Sequence, residues 1–184
     1  MNLLYNCADA NILISSNEGW GLSLTEAMMS GRMIIGNVTG GMQDQMRFEV
    51  DGKRIDFTPD FPSNHLGTVR DHGEWAVPVY PSNRSMVGSP PTPYIFDDRC
   101  NVEDAGTAIE EVYNLGSEER KRRGLAGREW AMSDEAGLTA EKMANRVIEI
   151  CDRGFEEFTP RPRFELHTIT ERPKKYITHK LFDY

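Results

Sequence analysis

Hydrophobic residues in the first third of the chain fall in short unbroken runs rather than in an alternating pattern. Ala10-Asn11-Ile12-Leu13-Ile14-Ser15 is one run and Met33-Ile34-Ile35-Gly36-Asn37 is another. Apolar runs of this length, bounded by turn formers, predict strands buried on both faces. Between them, Leu22 to Ser30 is rich in Leu, Glu, Ala and Met, with Gly31 where a left-handed residue ends a helix. Residues 3 to 8 read as the end of a short helix, and Ser16-Asn17-Glu18-Gly19-Trp20-Gly21 as a loop. Strand, turn, helix and strand in this order make a βαβ unit, which implies a parallel sheet with right-handed crossovers.

The pattern loosens after Gly40-Gly41, and about 53–99 reads as an irregular insertion. Within it Trp75 to Tyr80 predicts a strand that Pro78 confines to an edge or a bulge, and Ser89-Pro90-Pro91-Thr92-Pro93 predicts a rigid loop. A helical block follows. Asn101 is placed to cap a helix over Val102–Leu115 that Gly116 ends, and Ser117 with Glu118-Glu119 opens the next. Ser133 or Asp134 opens a third helix, where Met143, Val147 and Cys151, beside Ala144 and Ile148, line one apolar face. From Phe155 the chain is rich in Pro, Arg and Lys without a period. The expected organisation is therefore a domain over 1–154 and an extended or mobile arm over 155–184.

Composition narrows the chemistry. The chain has 184 residues, enough for one core, and Lys plus Arg number 21 against 29 Asp plus Glu. The resulting charge of −8 disfavours generic binding to nucleic acid or an anionic membrane, and the run Arg120-Lys121-Arg122-Arg123 reads as a solvated helix face. No apolar run approaches the roughly 18 residues of a transmembrane helix. Three cysteines without a Cys-x-x-Cys exclude a disulfide framework, and four scattered histidines argue against a metal cluster. A Walker-type phosphate loop, His-Glu-x-x-His and Asp-x-Asp are all missing from the sequence, and Gly21-Leu22-Ser23-Leu24-Thr25 ends in Thr where a nucleophile elbow requires Gly. Met1 to Asn6 has no positive n-region, so the expected compartment is cytoplasmic.

The informative stretch is Glu18-Gly19-Trp20-Gly21-Leu22-Ser23-Leu24-Thr25-Glu26. It leads from the carboxyl end of a strand into a helix, which is where open parallel sheets bind ligands. Glycines let the backbone approach a ligand, and the N–H groups of Gly21, Leu22 and Ser23 suit a phosphate. Glu26 lies one turn beyond Leu22 with its side chain leaning back toward the helix start, and Glu18 comes from the other lip of the turn. Two hydroxyl-binding acids beside a phosphate-binding helix end describe a receptor for a sugar nucleotide. Spacing alone leaves open that Glu18 is a loop acid and Glu26 an exposed helix residue.

Residues 4 to 10, Ile12 to Ser16, Glu18-Gly19-Trp20-Gly21-Leu22, Glu26-Ala27-Met28 and Gly31 closely resemble the donor-binding half of GT-B retaining glycosyltransferases (family 4-like, group 1). Met33-Ile34-Ile35-Gly36, Gly40-Gly41 and Asp51-Gly52 continue the likeness, which is strong over 4–52, moderate over 101–150 and weak elsewhere. The resemblance implies a Rossmann-like parallel α/β sheet, a partial GT-B C-terminal domain, followed by a helical block and an extended tail. It implies transfer of a sugar, with retention of configuration, from a donor such as a UDP- or GDP-sugar, with neither cofactor nor metal. Glu18 then contacts the donor sugar as the catalytic-site acid, Glu26 holds the ribose hydroxyls, and Gly19, Gly21, Leu22 and Ser23 line the diphosphate, with Thr25 beside it.

In that family an acceptor-binding domain and the first donor-domain strands, with an Arg and a Lys for the diphosphate, precede this region. The expectation is therefore the donor-binding part of a longer or split enzyme, incomplete by itself, with its acceptor unknown and an N-terminal domain or partner chain as its complement. The alternative from another class is a non-catalytic nucleotide-sugar-binding or assembly module derived from the same fold.

Overall fold

The computed structural model describes residues 2–55, 65 and 67–161. The fold is mixed α/β around a small parallel sheet. Helix α1 (Asn2–Asn6) leads to strand β1 (Ala10–Leu13), helix α2 (Leu22–Met29) and strand β2 (Met33–Asn37), followed by a 3-10 helix over Gly40–Met46. A two-stranded ribbon, β3 (Glu49–Val50) and β4 (Lys53–Arg54), turns at Asp51-Gly52. Strand β5 (Ala76–Val79) completes the sheet in the order β1-β2-β5, all parallel, with Ala10 opposite Met33 and Ile34 opposite Ala76. The parallel sheet is what the βαβ pattern predicts, and it is consistent with a Rossmann-like arrangement. Pro78 sits opposite Gly36 on β5, which has β2 as its only sheet neighbour among the described residues.

All five residues of β2 are buried, so both faces of the central strand are covered. Its side chains divide by the twofold period of a strand. Ile34 joins Leu24, Ala27 and Met28 of α2 and the Met42, Met46 and Phe48 side chains, whereas Met33 and Ile35 join Val77 and Val79 with Ala108 and Val112 of α3 (Val102–Asn114). Helix α4 (Gly116–Met132) comes so close to the first layer that it needs glycines there: a Cβ on Gly124 would lie 2.2 Å from the Gly31 carbonyl oxygen, and one on Gly127 2.7 Å from Trp75 Cβ. Trp75 in turn stacks on Trp130, ring centres 5.0 Å apart.

Four local expectations are corrected. The Pro-rich insertion forms an antiparallel hairpin, β6 (Asn83–Ser89) with β7 (Thr92–Arg99), so Ser89, Thr92 and Pro93 belong to strands and only Pro90-Pro91 turns. Asn101 does not cap α3 with its side chain; its Oδ1 accepts from the Ser82 hydroxyl at 2.8 Å. The third helix, α5 (Ala140–Glu157), starts later than Ser133, because Ser133 closes α4 and the Thr139 hydroxyl accepts from the Lys142 N–H at 3.3 Å. The basic run is not merely solvated. Arg120 reaches Asp9 and the carbonyls of Val112 and Tyr113, and Arg122 bridges Glu119 and Glu74. With Arg123 also bound to it, the Glu119 carboxyl is held down to about 2.

The chain divides into two units, Met1–Asn145 and Arg146–Tyr184. In the second, α5 continues to Glu157, so Phe155 to Glu157 are helical where an arm is expected, and 158–161 have no regular structure. The rest of the expected arm, 162–184, lies outside the described residues, as do 56–64 and 66 of the insertion. Among the described residues no helix is long and apolar enough to cross a membrane.

One glycine of α3 and one of α4 respond oppositely to alanine. Gly106 of α3 has open space around a new Cβ, so Gly106→Ala gains the helix propensity of about 0.5–1 kcal/mol. Gly127→Ala forces a methyl into Trp75 and loses about 1–3 kcal/mol instead. Urea unfolding midpoints, at equal slope, give both signs.

Candidate functional site

The loop after β1 and the loop after β2 meet at the carboxyl end of the sheet, backbone against backbone. Gly40 adopts φ +51, and a Cβ there would lie 2.1 Å from the Glu18 carbonyl oxygen. At Gly41 the corresponding distance to the Gly19 carbonyl oxygen is 2.3 Å, with Trp20 alongside. The Gly-Gly pair that reads in sequence as a chain break thus lets one loop lie directly on the other.

A buried polar network holds that contact. Gln45, fully buried on the 3-10 helix, donates through Nε2 to the carbonyls of Trp20 and, at 3.3 Å, Gly21. Its Oε1 accepts from the Thr25 hydroxyl at 2.8 Å, and that hydroxyl accepts from Trp20 Nε1 at 2.9 Å. The Gln45 carbonyl takes the indole N–H of Trp75 at 3.1 Å. Gly21 itself is buried in the left-handed region, φ 80 and ψ 61, and turns the chain into α2.

Helix α2 starts without a side-chain cap, and its first bond from outside the helix is Leu24 N–H to the Gly21 carbonyl at 3.0 Å. The N–H groups of Leu22 and Ser23 belong to the turn that has no partner within a helix. They carry the positive end of the helix dipole, about half an elementary charge.

Each residue singled out in the sequence has a definite place. Glu18 is half-buried in the loop and Gly19 is exposed beside it, with nothing within 4 Å of a new Cβ. Leu22 is exposed, and the half-buried Ser23 accepts from Asn11 Nδ2 through its hydroxyl at 3.4 Å. These positions and Gly21 lie together at the start of α2. Thr25 is placed differently: its hydroxyl proton is committed to Gln45, so it braces the loop from inside. Glu26 is exposed, and its Oε2 accepts from the hydroxyl of buried Tyr5 on α1 at 2.7 Å. That hydrogen bond, then burial, raises the Tyr5 pKa above its ordinary 10.0. Among the described residues no group of three or more His, Cys, Asp or Glu side chains is arranged to hold a metal ion.

The structure adds residues that sequence reading missed. Asn37 ends β2 and Thr39 precedes the 3-10 helix, and both reach Asp98 of β7. Asn37 Nδ2 donates to the Ser15 carbonyl at 2.9 Å and the Asp98 carbonyl at 2.7 Å, and the Thr39 hydroxyl donates to Asp98 Oδ2 at 2.8 Å. Gln45 and Tyr5 are equally new. Their sequence neighbours do not mark them, and Asp98 lies 59 positions from Thr39. The chain matches no known family model and no curated protein.

Two outcomes follow. Gln45→Leu keeps the volume but strands the Trp20 carbonyl and the proton of the Thr25 hydroxyl, while the Gly21 carbonyl keeps its bond from Leu24 N–H, so a loss of about 1–3 kcal/mol is expected in urea unfolding. The Tyr5 effect has a pH signature. A phenol whose pKa is raised by folding contributes stability fully below the unfolded value near 10 and loses it as pH rises through the folded value. Wild type's advantage over Tyr5→Phe is therefore constant below about pH 10 and shrinks above it, as urea midpoints measured from pH 8 to 11.5 would record.

Proposed function

We propose that this chain is the donor-binding portion of a GT-B retaining glycosyltransferase, which moves a sugar from a nucleotide-sugar to an acceptor. The observation that carries the reading is the uncapped start of α2, set at the carboxyl end of a parallel sheet and reached through Glu18-Gly19-Trp20-Gly21. A helix start of this kind binds the diphosphate of a nucleotide-sugar and stabilises the charge that grows on it as the glycosidic bond breaks. The leaving group then needs no proton from a side chain. Gly19 and Gly21 let the diphosphate approach the main chain, and the N–H groups of Leu22 and Ser23 receive it.

In this reading Glu18 accepts hydrogen bonds from hydroxyls of the donor sugar, and Glu26 from those of the ribose. The Tyr5 hydroxyl on Glu26 Oε2 orients that carboxylate and leaves its other oxygen for the ligand. Thr25 and Gln45 act behind the surface by fixing the loop. The donor is a substrate, with no separate cofactor; the base and the sugar are set by residues that contact them outside this turn. The compartment proposed is the cytoplasm, where nucleotide-sugars are made available to such enzymes, and the acceptor and any domain that presents it belong to the complete enzyme.

Calorimetric titration with UDP, GDP and ADP tests the reading. One nucleoside diphosphate is expected to bind, and Glu26→Ala to weaken it at least about tenfold, as losing a charge-assisted hydrogen bond should. Glu18→Ala should leave that affinity intact while removing the extra affinity of the matching nucleotide-sugar. A folded chain that binds none of the three, or binds one regardless of Glu26, overturns the reading.

A further inference from the structure

Asp98 is a fully buried carboxylate in a strand whose remaining residues are half-buried or exposed. It stands where three segments converge: the loop after β1, the end of β2 and the hairpin β6–β7. Its backbone N–H donates to the Ser16 carbonyl at 2.8 Å, and its carbonyl accepts from Asn37, which also holds Ser15. Its carboxylate takes the Thr39 hydroxyl through Oδ2 and faces Arg84 Nε at 3.5 Å through Oδ1. Arg84 lies across the strand pair at the position opposite Asp98, and its guanidinium sits over the Phe96 ring at 4.8 Å. One residue further along the loop, Asn17 Nδ2 donates to the Phe96 carbonyl at 3.4 Å.

These contacts close around Glu18. On one side, Ser15, Ser16 and Asn17 are bound to β7 or to Asn37. On the other, Thr39 carries Gly40, whose backbone lies against the Glu18 carbonyl. The two segments that bracket Glu18 are thus both indexed on one buried acid, the first through its main chain and the second through its side chain. Burying a carboxylate is costly unless it is paired, and a nonpolar residue of similar volume commonly stabilises as well or better. A charge kept at this junction makes sense as a fixed reference between loops.

We infer that Asp98 is a positioning residue for Glu18: by tying the end of β2 and the hairpin to the loop after β1, it sets where the Glu18 carboxylate meets the donor sugar. The inference rests on the reading of Glu18 as the sugar-contacting acid. It makes the β6–β7 hairpin a working part of the site, although no residue of the hairpin belongs to the turn at α2. Asp98 itself is sealed from solvent and acts only through the loops it holds. Nucleoside diphosphate binding at the start of α2 is governed by Gly21, Leu22, Ser23 and Glu26, which Asp98 does not touch, so the two affinities separate.

Two variants test this on the intact chain. Asp98→Asn keeps the size and an acceptor for Thr39 but removes the charge facing Arg84, and Thr39→Val removes the hydroxyl without changing volume. Amide hydrogen exchange of peptides covering 15–21 is read beside calorimetry with UDP and UDP-glucose, GDP and GDP-mannose, and ADP and ADP-glucose. Both variants are expected to speed exchange in 15–21 about tenfold. They should also lower the preference for the nucleotide-sugar over its nucleotide about tenfold, with nucleotide affinity changed less than about twofold. Faster exchange confined to 83–99, with the sugar preference intact, reduces Asp98 to an anchor of the hairpin and overturns the inference. If Asp98→Asn does not fold, Thr39→Val carries the same comparison. If wild type binds none of these nucleotides, the reading of the site fails by itself, and unchanged exchange at 15–21 in the variants separately refutes the positioning role.

Discussion

The architecture of the site depends on one close approach: the backbone of Gly40-Gly41 laid on the backbone of Glu18 and Gly19. Two loops laid one on the other must find partners for the backbone polar groups they bury. Here the side-chain-free contact lies against the Glu18 and Gly19 carbonyls, and something must satisfy the next two carbonyls of that loop. Gln45 does so with a single amide that offers two donors and an acceptor in one plane. It takes the Trp20 and Gly21 carbonyls with its nitrogen and the Thr25 hydroxyl with its oxygen. The loop geometry, the left-handed turn at Gly21 and the start of α2 are consequences of that packing. An apolar residue at position 45 would fill the same space and leave the turn without its internal frame.

How much of this was legible in the sequence follows from the range of each interaction. The strands at Ala10 and Met33, the helix between them and the strand at Ala76 are set by local apolar runs and turn residues, and they form where those runs predict. Gly21 and the Gly40-Gly41 pair also announce a backbone that departs from ordinary geometry, though not what it packs against. The hairpin escaped because prolines at 90, 91 and 93 mark a turn correctly but hide the strands on either side. Proline is tolerated in a two-stranded ribbon, where an unpaired edge asks nothing of the missing N–H. Asn101 misled for a related reason. A side-chain oxygen before a helix can cap it or serve another donor, and Ser82 from the start of the hairpin claims it.

The site divides along the same line. Glu18, the glycines and the helix start are contiguous, so their chemistry can be read as a string. Tyr5, Gln45 and Asp98 come from three other segments, and only the fold decides that they face Glu26, Thr25 and Thr39. The Thr25 hydroxyl shows what is lost when position is inferred from spacing. It sits within one turn of the helix start, yet the indole of Trp20 and the amide of Gln45 draw it inward. A hydroxyl has one proton to give, and that proton is used inside the protein.

Under the proposed reading, charge sets the terms on which this site holds an anion. The chain carries −8 overall, so a diphosphate approaches against a repulsive background that salt screens over about 8–10 Å. At the site itself the favourable field is short-ranged: a helix start worth about half an elementary charge and the N–H groups of one turn. Glu18 and Glu26 bring negative charge to the same region, which is unfavourable for the phosphates but suited to neutral hydroxyls on either side of them. The arrangement therefore discriminates by position. Under the proposed reading, an anion is favoured at the helix start and disfavoured beside the Glu18 and Glu26 carboxylates. Bare phosphate gains little from such a site. A ligand that places hydroxyls on both flanks of a diphosphate converts each repulsive acid into a hydrogen-bond acceptor, and a nucleotide-sugar has that pattern.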